Sequence, residues 1–138
     1  MTAPLLLDTC AALWMSGNEY MKVAAVAALD AAVRAGETFY LSPITAWEVG
    51  ILAARNRITL PSRPETWFRK VTATQGITLA GLPGEVLIAA SFLPGTPPND
   101  PMDRIIIATA REYGYRIVTR DRLILAYAES GLVMALPC

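Results

Sequence analysis

Short apolar runs alternate with stretches of helical periodicity along the chain. The runs at 5–7, 39–41, 77–82, 116–119 and 132–136 predict strands, because strands buried on both faces are apolar throughout. Helical spacing predicts helices at 18–37, 42–56, 65–74, 85–92, 101–113 and 121–128. This alternation favours an α/β fold, a three-layer α/β/α sandwich with a mainly parallel central sheet. At 138 residues the chain is expected to form a single domain over 1–138.

The helix predicted at 42–56 shows most clearly where its buried side lies. Ser42 is placed as its N-cap, and Pro43 takes the first helical position. We expect a buried side made of Ile44, Trp47, Ile51 and Leu52. The three tryptophans of the chain are expected to belong to the core and not to a base-stacking surface, since none lies in a basic run: Trp14, Trp47 and Trp67.

Composition narrows the possible chemistry. The chain is 54% hydrophobic and 17% charged, which indicates a well-filled interior and an apolar patch for a partner. Twelve acidic residues balance twelve basic ones, so contact with nucleic acid would depend on local basic groups. There is no histidine, which excludes mechanisms with an imidazole base and disfavours a zinc site. The two cysteines form no disulfide framework, and no signal peptide or membrane-spanning run is visible, so a cytoplasmic protein is expected.

The helix predicted from Pro101 onward carries a charged residue on its apolar side. Asp100 is placed as the N-cap. Asp103 follows three residues later, on the same side as Ile106 and Ile107. A carboxylate in that position costs free energy unless something compensates it. Asp103 either closes a capping box with Asp100 or belongs to a functional site, and this segment alone leaves both interpretations open.

Three further acids occupy comparable positions. Asp8 follows the first strand, Glu48 lies in the helix after the second, and Asp121 follows a late strand. Ligands of open α/β sheets bind beyond the carboxyl ends of the strands, so we expect these acids to meet Asp103 there. Each also has an ordinary explanation: Asp121 as an N-cap, Asp8 as a loop acid, and Glu48 as the partner of Arg55.

A cluster of four carboxylates predicts a divalent cation. Carboxylates that share a cleft repel one another, and some stay protonated unless a cation compensates them. Mg²⁺ or Mn²⁺ takes carboxylate and water oxygens in octahedral geometry. Such an ion can lower the pKa of water and offset the charge of a scissile phosphate. The pattern therefore permits metal-dependent hydrolysis of phosphodiesters without histidine.

The chain also resembles a known family over essentially its whole length. The following motifs, in this order and spacing, are similar to those of PIN-domain ribonucleases, above all the toxins of VapBC toxin–antitoxin pairs: Leu-Leu-Leu-Asp8-Thr9-Cys10, Ser42-Pro-Ile-Thr45-Ala-Trp-Glu48, Asp100-Pro-Met-Asp103-Arg104 and Val118-Thr119-Arg-Asp121.

The resemblance implies a PIN-like fold and a type II toxin that cuts RNA. It implies that the catalytic, metal-binding acids are Asp8, Glu48, Asp103 and Asp121, with Mg²⁺ or Mn²⁺ as cofactor. The hydroxyls of Thr9 and Thr119 are expected to orient acids or water, and Asp100 to support them.

The resemblance further implies a homodimer and a VapB-type antitoxin. We expect Met21, Val26 and Trp47 to lie near an apolar groove that receives an antitoxin helix. One subgroup of the family has a histidine where this chain has Pro98, and a Phe where it has Met102, so that subgroup's substrate preference does not carry over.

Three arginines lie next to the acids in sequence, and we expect them to contact RNA phosphates unless they are ordinary surface residues: Arg104, Arg120 and Arg122. Two other classes of function stay open. One is a phosphohydrolase with an aspartyl nucleophile, although Cys10 stands where its second Asp would be. The other is a binding module that kept the fold and lost catalysis. No glycine-rich nucleotide-binding motif is present.

Overall fold

Five parallel strands form one sheet at the centre of the structure, a computed structural model that describes residues 3–17 and 21–138. Its spatial order is β3-β2-β1-β4-β5, and every neighbouring pair of strands runs parallel. The strands are β1 Leu5–Leu7, β2 Phe39–Leu41, β3 Ile77–Leu79, β4 Arg116–Thr119 and β5 Met134–Pro137. The predicted α/β class and parallel sheet are confirmed.

Seven helices surround the sheet in the described ranges: α1 Thr9–Ser16, α2 Val23–Arg34, α3 Ile44–Ala54, α4 Pro64–Thr72, α5 Gly84–Ser91, α6 Pro101–Tyr113 and α7 Arg122–Glu129. In one buried cluster, the four helices α1, α2, α3 and α4 pack against Leu5, Leu7 and Val118 of the strands. A second cluster joins α6 and α7 with Leu6 and Ile117. Successive strand residues thus face opposite layers, as the pleat of a strand requires.

One helix is absent from the predicted pattern. The sequence pattern predicts no helix directly after the first strand, yet α1 begins at Thr9. Its sequence is apolar on nearly all sides, so no amphipathic period reveals it. The predicted helix at 18–37 is also too long. The observed α2 begins at Val23 and ends at Arg34, while residues 18–20 lie outside the described ranges.

The predicted burial of the tryptophans is correct only in part. Trp67 is buried, and its Nε1 donates a hydrogen bond to Ser16 Oγ. Trp14 is half-buried. Trp47 is 59% exposed, so its assignment to the core and to the buried side of α3 is wrong. The fully buried positions of α3 are Thr45 and Val49, because the helix is rotated from the predicted orientation.

None of the helices in 3–17 and 21–138 combines the length and apolarity that crossing a membrane requires.

Candidate active site

Adjacent strands β1 and β4 each lead into an acid that caps the next helix. Asp8 follows β1, and its Oδ1 accepts a hydrogen bond of 2.8 Å from the Ala11 N–H at the start of α1. Asp121 follows β4, and its Oδ1 accepts bonds from the N–H groups of Leu123 and Ile124. Both acids therefore lie at the carboxyl edge of the sheet, as predicted.

The start of α6 brings two more acids to this edge. Asp100 is the N-cap, and its Oδ1 accepts hydrogen bonds from the N–H groups of Met102 and Asp103 at 2.9 and 3.0 Å. The Asp103 side chain makes no reciprocal bond to the Asp100 N–H within the described ranges, so the capping box is not formed. Asp103 is half-buried, one turn before the buried Ile106 and Ile107.

The Thr119 hydroxyl joins the two strand-end acids. It accepts a hydrogen bond from the Asp121 N–H at 3.0 Å and donates one to Asp8 Oδ2 at 2.5 Å. Since its proton is directed to Asp8, this bond favours the carboxylate form of Asp8 and lowers its pKa. Both Asp8 oxygens thus have a fixed donor.

A second pair of hydroxyls supports Glu48. Thr9 and Thr45 are buried, and their Oγ1 atoms lie 3.0 Å apart. A hydrogen bond between the side chains of Thr9 and Glu48 opposes the rise in the pKa of Glu48 that burial causes. Between described residues, Glu48 forms no salt bridge with Arg55, so the simplest alternative for this acid is not observed.

Burial, with a smaller contribution from neighbouring acids, raises the pKa of three carboxyl groups, those of Asp8, Glu48 and Asp103. Loss of solvation raises the pKa of Asp8 from 3.8 to about 6, with smaller contributions from Glu48 and Asp121. The same cause raises the pKa of Asp103 to about 7, and the charges of Asp100 and Asp121 add to it. Such repulsion acts between carboxylates that lie close to one another, so these acids share one neighbourhood.

The pKa of the Cys10 thiol also reflects the acidic cluster. Loss of solvation raises the pKa of its thiol to about 12, and the charges of the four predicted site acids add to that rise: Asp8, Glu48, Asp103 and Asp121. The thiol is therefore neutral at physiological pH and a poor nucleophile. The charges of all four acids thus act on one position in the first turn of α1.

The chemistry of this donor set fits a hard divalent cation. Carboxylate oxygens are the ligands that Mg²⁺ and Mn²⁺ prefer, and a cation would relieve the repulsion that raises these pKa values. In 3–17 and 21–138, however, no three Asp, Glu or Cys side chains converge closely enough to form a ready-made metal site. The backbone N–H groups at the starts of α1 and α7 bind only Oδ1 of Asp8 and Asp121, and a carboxylate has about four lone-pair sites, so both side chains keep acceptor positions for a cation.

The three predicted RNA-binding arginines have different surroundings. Arg104 Nε, Nη1 and Nη2 donate to the carbonyls of Ala90, Pro98 and Ser91 at 2.8, 3.2 and 3.2 Å. The Arg104 guanidinium thus ties the end of α5 and the following loop to the start of α6.

The other two arginines flank Asp121. The Arg120 guanidinium lies 3.1 Å from the centroid of the Trp14 ring, and its Nε donates to the Cys138 carbonyl. Arg122 is exposed at the first position of α7.

Sequence reasoning assigned no role to Thr45 or Cys10. Thr45 precedes Glu48 by three residues, so both lie on one helical face, and that spacing is a signal that could have identified it. The position of Cys10 depends on α1, which the sequence pattern did not reveal.

The parallel sheet and its acidic carboxyl edge define an α/β protein of the kind expected for metal-assisted phosphodiester chemistry. The PIN-domain family profile matches residues 5–130, so the chain belongs to the PIN-domain family. It is 33% identical over 119 residues to Ribonuclease VapC22 of Mycobacterium tuberculosis (strain ATCC 25618 / H37Rv), covering 86% of this chain and 87% of that protein. The predicted family is thereby confirmed.

Solved structures share the fold. The crystal structure of VapBC2 from Rickettsia felis bound to a DNA fragment from their promoter matches with a TM-score of 0.66 and 10% identity, covering 96% of this chain and 97% of that one. FitAcB from Neisseria gonorrhoeae matches with a TM-score of 0.57 and 20% identity, covering 96% of both chains.

Proposed function

We propose that this protein is a divalent-metal-dependent endoribonuclease and the toxin component of a type II toxin–antitoxin pair. The observation that carries the proposal is that Asp8 and Asp121 end adjacent strands at the carboxyl edge of a PIN-domain sheet, with Asp103 and Glu48 near enough for their charges to act on the same Cys10 thiol. The name of the Mycobacterium tuberculosis relative, Ribonuclease VapC22, supports RNA as the substrate. Since RNA is the proposed substrate, we expect the protein to act in the cytoplasm.

In this proposal the four acids hold the metal: Asp8, Glu48, Asp103 and Asp121. When bound there, Mg²⁺ or Mn²⁺ would supply two effects, the activation of water and the neutralisation of phosphate charge. Thr119 keeps Asp8 ionised and oriented through its short hydrogen bond, and Thr9 does the same for Glu48. Asp100 fixes the first turn of α6, so that Asp103 is presented to the cluster.

Arg120 and Arg122 are the proposed contacts to RNA phosphates. Both lie beside Asp121 in sequence, and both are exposed. The stacking of Arg120 on Trp14 orders its guanidinium while leaving part of it at the surface. Arg104 was predicted to bind RNA too, but its three bonds to backbone carbonyls support a structural role instead.

We further propose that an antitoxin helix binds between α3 and α4. A groove of about 510 Å³ lies there, and its apolar lining includes Val49, Trp67 and Phe68. The exposed Trp47 is next to the lining residue Ala46 and provides an aromatic anchor. The Rickettsia felis structure with the same fold bears the name VapBC2, which supports a partner of the VapB type.

The other two residues expected at the antitoxin surface lie elsewhere. Met21 is buried, and Val26 is 41% exposed on α2. Both line a separate groove with Met15 and Leu29. The proposal for the antitoxin therefore rests on Trp47 and the α3–α4 groove.

A homodimer is the proposed assembly of the toxin. Leu87, Ile88 and Phe92 of the α5 region are 41%, 64% and 80% exposed, and together they form an apolar surface suited to burial against a second copy. Light scattering of the purified chain measures this directly, and a strictly monomeric protein at micromolar concentration would contradict it.

The experiment that tests the activity is RNA cleavage with Mg²⁺ or Mn²⁺, with and without EDTA. We expect cleavage with metal, none in excess EDTA, and none for Asp8→Asn or Asp121→Asn. Gln75→Ala is the matched control, because Gln75 is exposed just before β3, at the opposite edge of the sheet. Undiminished cleavage in EDTA contradicts the proposed metal dependence. A wild-type chain that cuts no RNA contradicts the ribonuclease function and favours an inactive binding module.

A further inference from the structure

A pocket of about 530 Å³ lies beside the acidic cluster, between the proline-rich loop at 94–99 and α7. The loop side includes Thr96, Pro97, Pro98 and Asn99; the helix side includes Leu123, Ala126 and Tyr127. Its volume is within the range of roughly 300–1,000 Å³ that small-molecule sites occupy. The mechanism proposed above does not use this pocket.

Two hydrogen bonds and a glycine turn define the path of the loop that forms one wall. Tyr127 Oη donates a hydrogen bond of 2.6 Å to the Pro94 carbonyl. Gly95 has φ +71°, a left-handed backbone conformation in which a side chain would be strained, and a Cβ there would also displace the Leu132 side chain. Arg104 Nη1 binds the Pro98 carbonyl from the other side. The pocket is thus a fixed feature of the surface and does not require the loop to close.

The pocket adjoins the proposed site for the scissile phosphate. Asn99 immediately precedes the N-cap Asp100. On the opposite wall, the Leu123 N–H donates to Asp121 Oδ1 at 2.8 Å. A substrate whose phosphate lies at the acidic cluster therefore has its neighbouring nucleotide within reach of this pocket.

The lining suits a nucleobase. Leu123 is 61% exposed and, with Pro97, presents an apolar surface to the flat face of a base. The Asn99 carboxamide is exposed and has no hydrogen-bond partner among the described residues, so its donor and acceptor are available to a base edge. None of the described residues that line the pocket is acidic, and Arg122 is adjacent to Leu123. Unpaired bases of single-stranded RNA are recognised through this combination of apolar contact and edge hydrogen bonds.

We propose that the pocket between the loop at 94–99 and α7 binds the nucleotide next to the scissile phosphate and selects its base. This inference rests on the proposed ribonuclease function. It assigns Asn99 as the residue that determines specificity and Leu123 as the apolar contact. The antitoxin is the less favoured occupant, because the α3–α4 groove is lined by the aromatic side chains of Trp67 and Phe68 and has the exposed Trp47 next to its lining residue Ala46.

The test is cleavage of a randomised RNA pool with Mn²⁺, followed by sequencing of the product ends. The wild type should prefer one or two bases at a position next to the cut. Asn99→Ala should reduce that preference roughly 10-fold, as expected when a hydrogen-bonded base contact is lost. Leu123→Ala should raise KM with little change in kcat, because apolar contact contributes equally to ground and transition states. Gln75→Ala and Met134→Ala, at the opposite edge of the sheet, are the matched controls and should resemble the wild type.

A second measurement does not depend on cleavage. RNA containing 4-thiouridine, irradiated with the protein in Ca²⁺ to supply a cation at the acidic cluster, should crosslink to residues at 95–99 or 123–132. Crosslinks confined to other regions, or a wild type without base preference, overturn the inference while leaving the ribonuclease function intact. Variants with unchanged RNA preference but lost inhibition by the antitoxin would assign the pocket to the protein partner. A wild type that cuts no RNA contradicts the proposed function instead.

Discussion

Removing the charge of Asp103 should stabilise the metal-free protein while abolishing its activity. The pKa of this acid is raised from 3.8 to about 7, first by burial and then by the charges of Asp100 and Asp121. Each tenfold change in proton affinity is worth about 1.4 kcal/mol, so a fully buried group would contribute roughly 4 kcal/mol. Because Asp103 is only half-buried, solvent screening reduces this to on the order of 1–2 kcal/mol.

The pH dependence of this effect has a definite sign. Below pH 3.8 the Asp103 carboxyl is neutral in both folded and unfolded chains, so the substitution Asp103→Asn changes nothing. Between pH 3.8 and about 7 the unfolded chain loses this proton while the folded chain keeps it, which destabilises the wild type increasingly. Above pH 7 the penalty is constant. Asp103→Asn should therefore raise Tm by about 3–8 °C at pH 8 and by much less at pH 4.5.

The neighbouring cap provides the matched controls. Asp100→Asn keeps an N-cap acceptor for the Met102 and Asp103 N–H groups but removes a charge that repels Asp103, so it should stabilise the chain slightly. Asp100→Ala removes the acceptor too and should cost about 1 kcal/mol. Both should retain measurable RNA cleavage.

The assay is a melting curve for each variant at pH 4.5 and pH 8 in EDTA, repeated at pH 8 with Mn²⁺, alongside a cleavage rate. Mn²⁺ should raise the Tm of the wild type and not that of Asp103→Asn, since ligand binding to the folded state stabilises it. The reasoning fails if Asp103→Asn lowers Tm at pH 8, or raises it equally at both pH values. Loss of cleavage in Asp100→Ala with activity retained in Asp103→Asn would reverse the assignment of cap and ligand.

Three further substitutions test separate contacts. Thr119→Val keeps the side-chain shape but removes the hydrogen-bond donor to Asp8, which should raise the pKa of Asp8. Cleavage should therefore fall at least 10-fold at pH 6.5 and recover partly at pH 8. A pH profile like that of the wild type would contradict this. Arg104→Ala should lower Tm and the cleavage rate together, because three hydrogen bonds to backbone carbonyls before α6 are lost. A change in RNA affinity at unchanged Tm would instead support Arg104 as an RNA contact. Trp47→Ala should weaken antitoxin binding at least 10-fold, measured by calorimetry, and leave free-toxin cleavage unchanged. Equal antitoxin affinity would exclude Trp47 as the anchor.

The parts of the structure that the sequence revealed are those with a repeating or local signal. The strands at Leu5–Leu7 and Phe39–Leu41 are short apolar runs, and α6 begins with a cap, a proline and an apolar stripe. The carboxyl-edge position of Asp8 and Asp121 follows from the parallel order of the strands alone, because both acids come directly after neighbouring strands.

The parts that were missed depend on tertiary contacts. Helix α1 has no polar face to reveal its period, and its start at Thr9 is set by the hydrogen bond from Ala11 to Asp8. The guanidinium of Arg104 reaches carbonyls up to 14 residues away, so its role depends on the path of the loop before α6. The exposure of Trp47 depends on how α3 is rotated against α4, which hydrophobic spacing does not determine when nearly every residue of the helix is apolar.

The helix starts explain how the fold tolerates an acidic cluster before any cation binds. Asp8, Asp100 and Asp121 each accept backbone N–H bonds from the first turn of a different helix, α1, α6 and α7. The positive ends of those helix dipoles point toward the carboxylates and partly offset their repulsion. Asp103, inside its helix and without such a cap, is the acid whose pKa rises to about 7. A phosphate approaching this edge would meet the same three helix ends, so the features that stabilise the acids also favour an anionic substrate once a cation is bound.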